Sequence, residues 1–257
     1  MEIVLGILIP FIGTIIGTSM VFFMKNTLNK LLEKILLGIA SGVMIAASIW
    51  SLIMPSLEMA KSQGIIEWLP ATMGFIFGVT LLIISDVFVT KLENNLKLNK
   101  KDKSFKNNLM LFLAVTLHNI PEGMAVGVAF AGALQGNTEM TMLGAMSLAI
   151  GIGIQNIPEG AIISMPLKST GVNKCKAFFY GVISGIVEPI AAFITLILTS
   201  KINMILPYLL SLAAGAMIYV VSEELIPKAQ SGKNSKIGII GLTAGFLIMM
   251  ILDVALG

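Results

Sequence analysis

Long apolar runs separated by short polar stretches dominate the sequence. A helix needs about 20 apolar residues to cross the hydrocarbon core of a bilayer, and eight runs approach or exceed that length. The predicted membrane segments, numbered 1 to 8 in chain order, are residues 3–24, 35–57, 70–90, 108–133, 142–167, 175–199, 204–225 and 237–256. The pattern predicts an all-α polytopic membrane protein with eight transmembrane helices. Because the connections are short, we expect a single transmembrane domain over residues 1–257.

Composition agrees with this interpretation. Hydrophobic residues make up 56% of the chain and charged residues 12%, with a mean hydropathy of +0.93. Soluble domains usually carry about 25% charged residues. Glu2, and not a basic stretch, precedes segment 1, so we expect a membrane span there and not a cleaved signal peptide. The lone Cys175 excludes an intrachain disulfide and a thiolate metal cluster.

The lysines predict the orientation. The chain has 17 basic residues, all of them lysine, and 15 fall in the connections 1–2, 3–4, 5–6 and 7–8. Only Lys61 and Lys201 lie on the other side. The positive-inside rule then places the lysine-rich connections in the cytoplasm and both termini outside, in the plasma membrane. The net charge of +3 is explained by this topology, and we expect no nucleic-acid partner.

A six-residue motif occurs twice, once in segment 4 and once in segment 5. Five of its six positions match between the copies, which read His118-Asn119-Ile120-Pro121-Glu122-Gly123 and Gln155-Asn156-Ile157-Pro158-Glu159-Gly160. Consecutive spans run in opposite directions, so the copies are antiparallel. They can meet near the midplane about a pseudo-twofold axis, where many transporters place their sites.

The prolines of the motif release backbone carbonyls inside the membrane. Pro121 cannot donate to the carbonyl of Leu117, nor Pro158 to that of Ile154. We therefore expect kinks at these points, with the freed carbonyls facing protein, water or an ion. His118 and Glu122 are four residues apart and project from one helix face, as do the corresponding Gln155 and Glu159.

Three carboxylates lie near the middle of predicted spans without a basic partner. They are Glu122, Glu159 and Glu188, and no lysine lies within a core span to pair with them. Insertion scales place the cost of a mid-membrane carboxylate at roughly 2.5–3.5 kcal/mol. Binding of a cation would offset that cost, and the nitrogen and oxygen donors suit divalent metals. The alternative is that protonated glutamates only hydrogen-bond between helices.

At these motifs the chain resembles the ZIP family of zinc and iron transporters, and is most similar to its bacterial, GufA-like branch. The resemblance covers the whole chain and implies a binuclear metal site at mid-membrane. The first metal position then corresponds to Met44, His118, Glu122, Gln155 and Glu159. The second corresponds to Asn119, Asn156 and Glu188, with Glu122 and Glu159 as potential bridges.

The resemblance also implies an arrangement of three, two and three helices, an elevator-like movement and a homodimer. The expected substrate is zinc, with cadmium, iron or manganese as further candidates, moved towards the cytoplasm without a prosthetic group. The chain departs from the family in three ways. The 91–107 connection has no His, Asn156 stands where some members have Asp, and His118 has no second His on helix 5 to accompany it.

Several further residues could line a metal path. Ala40, Met44, Ala47 and Ser51 form one face of segment 2, which Glu58 continues at the outer end. For Met44, simple packing is the alternative to a ligand role. Asp86, Glu223 and Glu224, near inner helix ends, either line the exit or are interfacial charges.

Other functional classes remain as alternatives. A passive divalent-cation channel needs weaker sites than this donor set indicates. A membrane metalloenzyme would need an open zinc position and a general base, and the chain lacks an H-E-x-x-H motif. A metal sensor would need an extramembrane domain to relay the signal.

Overall fold

The computed structural model describes residues 2–23, 29–95, 103–136, 140–199, 203–232 and 234–256. Within these ranges every regular element is helical. The helices form eight long runs, called spans 1 to 8, which coincide one for one with the predicted segments. Their bounds are Glu2–Phe22, Lys30–Ser62, Trp68–Asn95, Lys103–Leu134, Met142–Ser169, Lys174–Thr199, Leu206–Gln230 and Ser235–Leu256.

The spans have the length and surface of membrane helices. Seven runs in the described ranges, all except span 4, are long and apolar enough to cross a membrane. Span 4 has 32 residues and carries one copy of the polar motif. Large apolar side chains cover the outside of the bundle, for example Phe77 at 60% exposure and Ile240 at 67%. Such a surface requires lipid around it, which confirms a polytopic membrane protein.

Short polar side chains fix where three of the spans begin. The side chains of Asn29, Thr141 and Asn173 each accept a hydrogen bond of 2.9 Å from a backbone N–H in the first turn of spans 2, 5 and 6. These caps satisfy donors that the start of a helix leaves free.

Three spans contain interruptions that the sequence pattern did not predict. Wider π-helical turns occupy Ser48–Ile53 in span 2 and Val221–Leu225 in span 7. Span 6 divides into Lys174–Gly185 and Val187–Thr199. Each interruption lies just before a proline, and proline cannot continue the helical hydrogen bonding to the preceding turn. In contrast, the helices continue through Pro121 and Pro158.

The spans pack in preferred pairs. Span 2 packs along span 8, span 3 along span 7, span 4 along span 6, and span 1 along span 5. Two groups result, one of spans 1, 4, 5 and 6 and the other of spans 2, 3, 7 and 8. Contacts between spans 2 and 5 and between spans 4 and 7 join the groups. Exchanging spans 1, 2 and 3 with spans 6, 7 and 8, and span 4 with span 5, leaves this set of pairs unchanged, as the arrangement of three, two and three requires.

Two lysine contacts bring lysine-rich connections to one end of the bundle. The Lys174 ammonium, at the start of span 6, donates to the carbonyl of Phe22 at the end of span 1 over 3.0 Å. Lys34 in span 2 donates to the carbonyl of Ser231 beyond span 7. Other lysines of the predicted topology lie outside the described residues, namely Lys25, Lys97, Lys100, Lys101, Lys201 and Lys233.

Candidate metal site between spans 4, 5 and 6

The glycines that end the two motifs bring the neighbouring helices close. A Cβ added to Gly123 would overlap the backbone of Glu188 in span 6, and one added to Gly160 would overlap the backbone of span 1 at Thr14. Only a residue without a side chain permits such contacts. The motif in span 4 is therefore placed against span 6, and the motif in span 5 against span 1.

The two motifs are joined by a hydrogen bond between buried side chains. The amide of Gln155 donates to Glu122 Oε1 over 2.9 Å, and Glu122 is 1% exposed. Glu159, one turn beyond Gln155, is partly buried. The structure thus brings the predicted first-position residues Glu122 and Gln155 into direct contact.

Glu188 has donors on both carboxylate oxygens. Asn156 donates to its Oε2 over 2.8 Å, and the hydroxyl of Thr14 donates to its Oε1 over 2.8 Å. Glu188 is fully buried and lies in the first turn of the second half of span 6. The positive end of that helix dipole stabilises a negative charge there. The predicted second-position residues Asn156 and Glu188 are therefore also in contact.

All three amide side chains of the site use their N–H groups on protein acceptors. Asn119 donates to the carbonyl of Ser184 over 3.1 Å, while Gln155 and Asn156 donate to glutamates. Five buried oxygens of the site have no hydrogen-bond partner: Asn119 Oδ1, Glu122 Oε2, Gln155 Oε1, Asn156 Oδ1 and Glu159 Oε1. Buried acceptors without a partner are rare and energetically unfavourable. Free oxygen atoms can bind a cation, whereas an anion would need free N–H groups.

His118 contacts a carboxylate that lies outside both motifs. Its Nδ1 lies 3.3 Å from Oε1 of Glu224, in the π-helical turn of span 7. The other oxygen of Glu224 pairs with Lys228. These three side chains line one cavity together with Glu159. The cavity therefore connects the motif residues with the lysine-bearing end of span 7.

Acidic side chains and His118 alone do not form a metal cage. In the part of the chain that the structure describes, no three His, Cys, Asp or Glu side chains converge as metal ligands. Asn119, Gln155 and Asn156 add unpartnered amide oxygens that are available to a cation beside the carboxylates.

Met44 is fully buried in the central apolar core near Ala40 and Ala47. Span 2, which carries it, packs against span 5. Its thioether stays a predicted ligand, because these contacts are compatible with both packing and metal binding.

The three carboxylates Asp86, Glu223 and Glu224 have distinct environments. Glu224 lines the cavity beside His118, whereas Glu223 is exposed. Asp86 accepts a hydrogen bond of 2.6 Å from the hydroxyl of Tyr219 and so links span 3 to span 7.

Sequence reasoning missed two polar residues. Thr14 lies in the apolar face of span 1, where a threonine carries no distinctive signal. Asp253 in span 8 accepts hydrogen bonds from Ser51 over 2.7 Å and from Ser147 over 3.2 Å. Asp253 lies close to the end of predicted segment 8, so the mid-span position that distinguishes Glu122 does not distinguish it.

The fold and this arrangement define a polytopic α-helical membrane protein with buried carboxylates and amides on spans 4, 5 and 6. A profile of the ZIP zinc transporter family matches residues 99–253. The chain is 34% identical to zinc transporter ZIP11 of Xenopus tropicalis, over 100% of this chain and 98% of the relative. It is 35% identical to zinc transporter GufA of Myxococcus xanthus, over 81% of each. It is 34% identical to zinc transporter ZIPB of Bordetella bronchiseptica, over 99% of this chain and 81% of the relative.

The chain therefore belongs to the ZIP family of zinc transporters. This confirms the family suggested by the doubled motif. It also confirms that the protein is a transporter of the divalent-metal class and not an enzyme.

Proposed function

We propose that the protein carries divalent metal ions, with zinc as the main substrate, through a mid-membrane binuclear site on spans 4, 5 and 6. The observation that carries this proposal is the set of five buried oxygens without a hydrogen-bond partner. The relatives are named zinc transporters, which favours zinc. Cadmium, iron and manganese are further substrates to test, because oxygen and imidazole donors accept all of them.

The proposed ligands fall into two groups. The first position uses Met44, His118, Glu122, Gln155 and Glu159. The second position uses Asn119, Asn156 and Glu188. The metal is the substrate, and the protein needs no prosthetic group for this function.

Movement of the metal requires the site to open to each side in turn. The division into two groups of four spans supports an elevator-like movement of spans 1, 4, 5 and 6 against the other four. The cavity between His118 and Glu224 supports a route to the lysine-bearing end. With that end in the cytoplasm, transport is directed inwards across the plasma membrane, and both termini are outside. The family resemblance further favours a homodimer, which the mass of the protein in detergent would test.

Uptake into proteoliposomes tests the proposal directly. We expect Glu122→Ala and Glu159→Ala each to lower zinc uptake by more than about tenfold, since each removes a charge from a site of low dielectric. Glu67→Ala is the matched control, because Glu67 is exposed and pairs only at the surface with Lys61 over 3.9 Å. Normal uptake by either site variant would contradict the site. Uptake that does not saturate with zinc concentration would favour a channel.

A further inference from the structure

Span 1 contains a short repeat that the proposed ligand set does not use. Its sequence is Gly13-Thr14-Ile15-Ile16-Gly17-Thr18, in which a glycine–threonine pair recurs after four residues. Residues four apart lie on the same helix face. This face of span 1 meets spans 5 and 6 close to the second metal position.

The glycines of the repeat allow span 1 to approach span 5 at backbone distance. A Cβ at Gly13 would overlap the carbonyl of Gly153, and one at Gly17 would overlap the carbonyl of Ile157. Small residues four apart are typical of tight helix pairs in membranes. The close approach brings the neighbouring threonines within reach of the buried polar groups.

The two threonines have matching methyl contacts but different hydroxyl partners. The Thr14 methyl faces Gly185 of span 6, and the Thr18 methyl faces Gly181 one turn away. The Thr18 hydroxyl donates to the carbonyl of Ile15 in its own helix over 3.0 Å. The Thr14 hydroxyl instead donates to Glu188 Oε1 over 2.8 Å.

We propose that Thr14 is a positioning residue for metal transport, because its hydroxyl fixes the carboxylate of Glu188 in the orientation that binds the second metal ion. This inference rests on the proposed function, in which Glu188 is a ligand. A hydroxyl has one proton, and the contact with Glu188 is shorter than the 3.4 Å contact with the carbonyl of Pro10. The proton is therefore committed to Glu188.

The hydrogen bonds leave Glu188 able to bind metal. A carboxylate offers about four lone-pair sites; the bonds from Thr14 and Asn156 occupy one on each oxygen, so each oxygen retains one for a cation. Hydrogen-bond partners of metal-binding carboxylates orient the ligand, and their loss typically lowers metal affinity or activity by about 10- to 100-fold. Thr14 is such a hydrogen-bond partner of Glu188.

Valine and serine substitutions separate the hydroxyl from the methyl group. Thr14→Val keeps the shape and the contact with Gly185 but removes the donor, whereas Thr14→Ser keeps the donor. We expect Thr14→Val to lower zinc affinity and uptake by about 10- to 100-fold with little change in melting temperature. Thr14→Ser should retain most of the uptake. Thr18→Val is the matched control and should behave as wild type.

Calorimetric titration with Zn²⁺ on the same proteins tests the role in positioning. Thr14→Val should weaken one of two zinc-binding events and leave the other unchanged. Equal loss in Thr14→Val and Thr14→Ser, or in Thr14→Val and Thr18→Val, would show a packing role and overturn the inference. Wild-type uptake by Thr14→Val would also overturn it.

Glu188→Gln distinguishes this inference from the proposed function. If that variant transports zinc normally, the second metal position itself is wrong. If it loses uptake while Thr14→Val does not, only the role of Thr14 fails. If both single variants lose uptake, adding Thr14→Val to Glu188→Gln should cause no further loss, because the effects of substituting two residues that act through one contact do not add.

Discussion

The three amide side chains of the site share one hydrogen-bonding pattern. Asn119, Gln155 and Asn156 each donate from the amide nitrogen to the protein and leave the amide oxygen unpartnered. An anion site would need the opposite orientation. The sequence identified these residues because the motif is duplicated, but it could not show which end of each amide is free. That depends on acceptors in other spans, such as the carbonyl of Ser184.

A substitution at Met44 would distinguish a ligand role from a packing role. A thioether is a soft, neutral ligand, so it favours cadmium and zinc over manganese. We expect Met44→Ala to reduce cadmium and zinc uptake more than manganese uptake, with the fold retained. Uptake of the three ions and the melting temperature in detergent would be measured side by side.

Packing alone would give a different result for the same variant. Removing a buried methionine side chain from a core typically destabilises a protein by about 2–5 kcal/mol. A lower melting temperature with equal loss for all three metals would therefore exclude Met44 from the ligand set, leaving the site to spans 4, 5 and 6.

At the scale of elements, the apolar pattern predicted all eight spans but not their internal breaks. Hydrophobic runs determine where a helix lies in the membrane, because unpaired backbone groups are not tolerated there. They do not determine how a helix responds to a proline. Span 6 is interrupted just before Pro189, whereas spans 4 and 5 continue through Pro121 and Pro158.

The break in span 6 and the π-helical turn in span 7 both position a carboxylate. Glu188 lies in the first turn after the break, and Glu224 lies within the π-helical turn beside His118. Such turns are frequent at functional sites. The sequence indicated both glutamates as candidates, and only the local helix geometry distinguishes Glu224 from the exposed Glu223.

Lys228 lies one turn beyond Glu224, at the lysine-bearing end of span 7. Its ammonium pairs with Glu224 from the next turn of the helix, and both line the cavity that His118 reaches. A metal ion leaving by this route must compete with the lysine for the carboxylate. Without the ammonium group, Glu224 would hold the metal ion for longer. We therefore expect Lys228→Met to slow zinc release and to lower the maximal uptake rate about two- to fivefold, which corresponds to the free energy of an exposed ion pair.

Two comparisons make the Lys228 experiment specific. Lys228→Arg keeps the charge and should transport at a rate near that of wild type. In a Glu224→Gln background, Lys228→Met should have no additional effect, because its partner is already neutral. A faster maximal rate in the single variant would show that the lysine obstructs the route and does not assist release.

At the scale of the whole molecule, the site lies within one group of four spans, and the other group supplies side chains at its edges. Spans 4, 5 and 6 hold the amides and carboxylates, and span 1 of the same group carries Thr14. Span 2 carries Met44 and span 7 carries Glu224. The sequence could assign residues to spans but not spans to groups, because pairings such as span 2 with span 8 join segments far apart in the chain. Asp253 of span 8, bound to Ser51 and Ser147, spans both groups.

The orientation of the whole molecule can be tested with its one native cysteine. Cys175 is exposed at the start of span 6, beside Lys174 and Lys176, at the end predicted to be cytoplasmic. A membrane-impermeant thiol reagent should leave Cys175 unlabelled in intact cells and label it after permeabilisation. In a Cys175→Ser background, Glu67→Cys at the opposite end, where Glu67 is 55% exposed, should be labelled in intact cells. The reverse pattern would invert the topology, and the cavity beside His118 would then open to the outside.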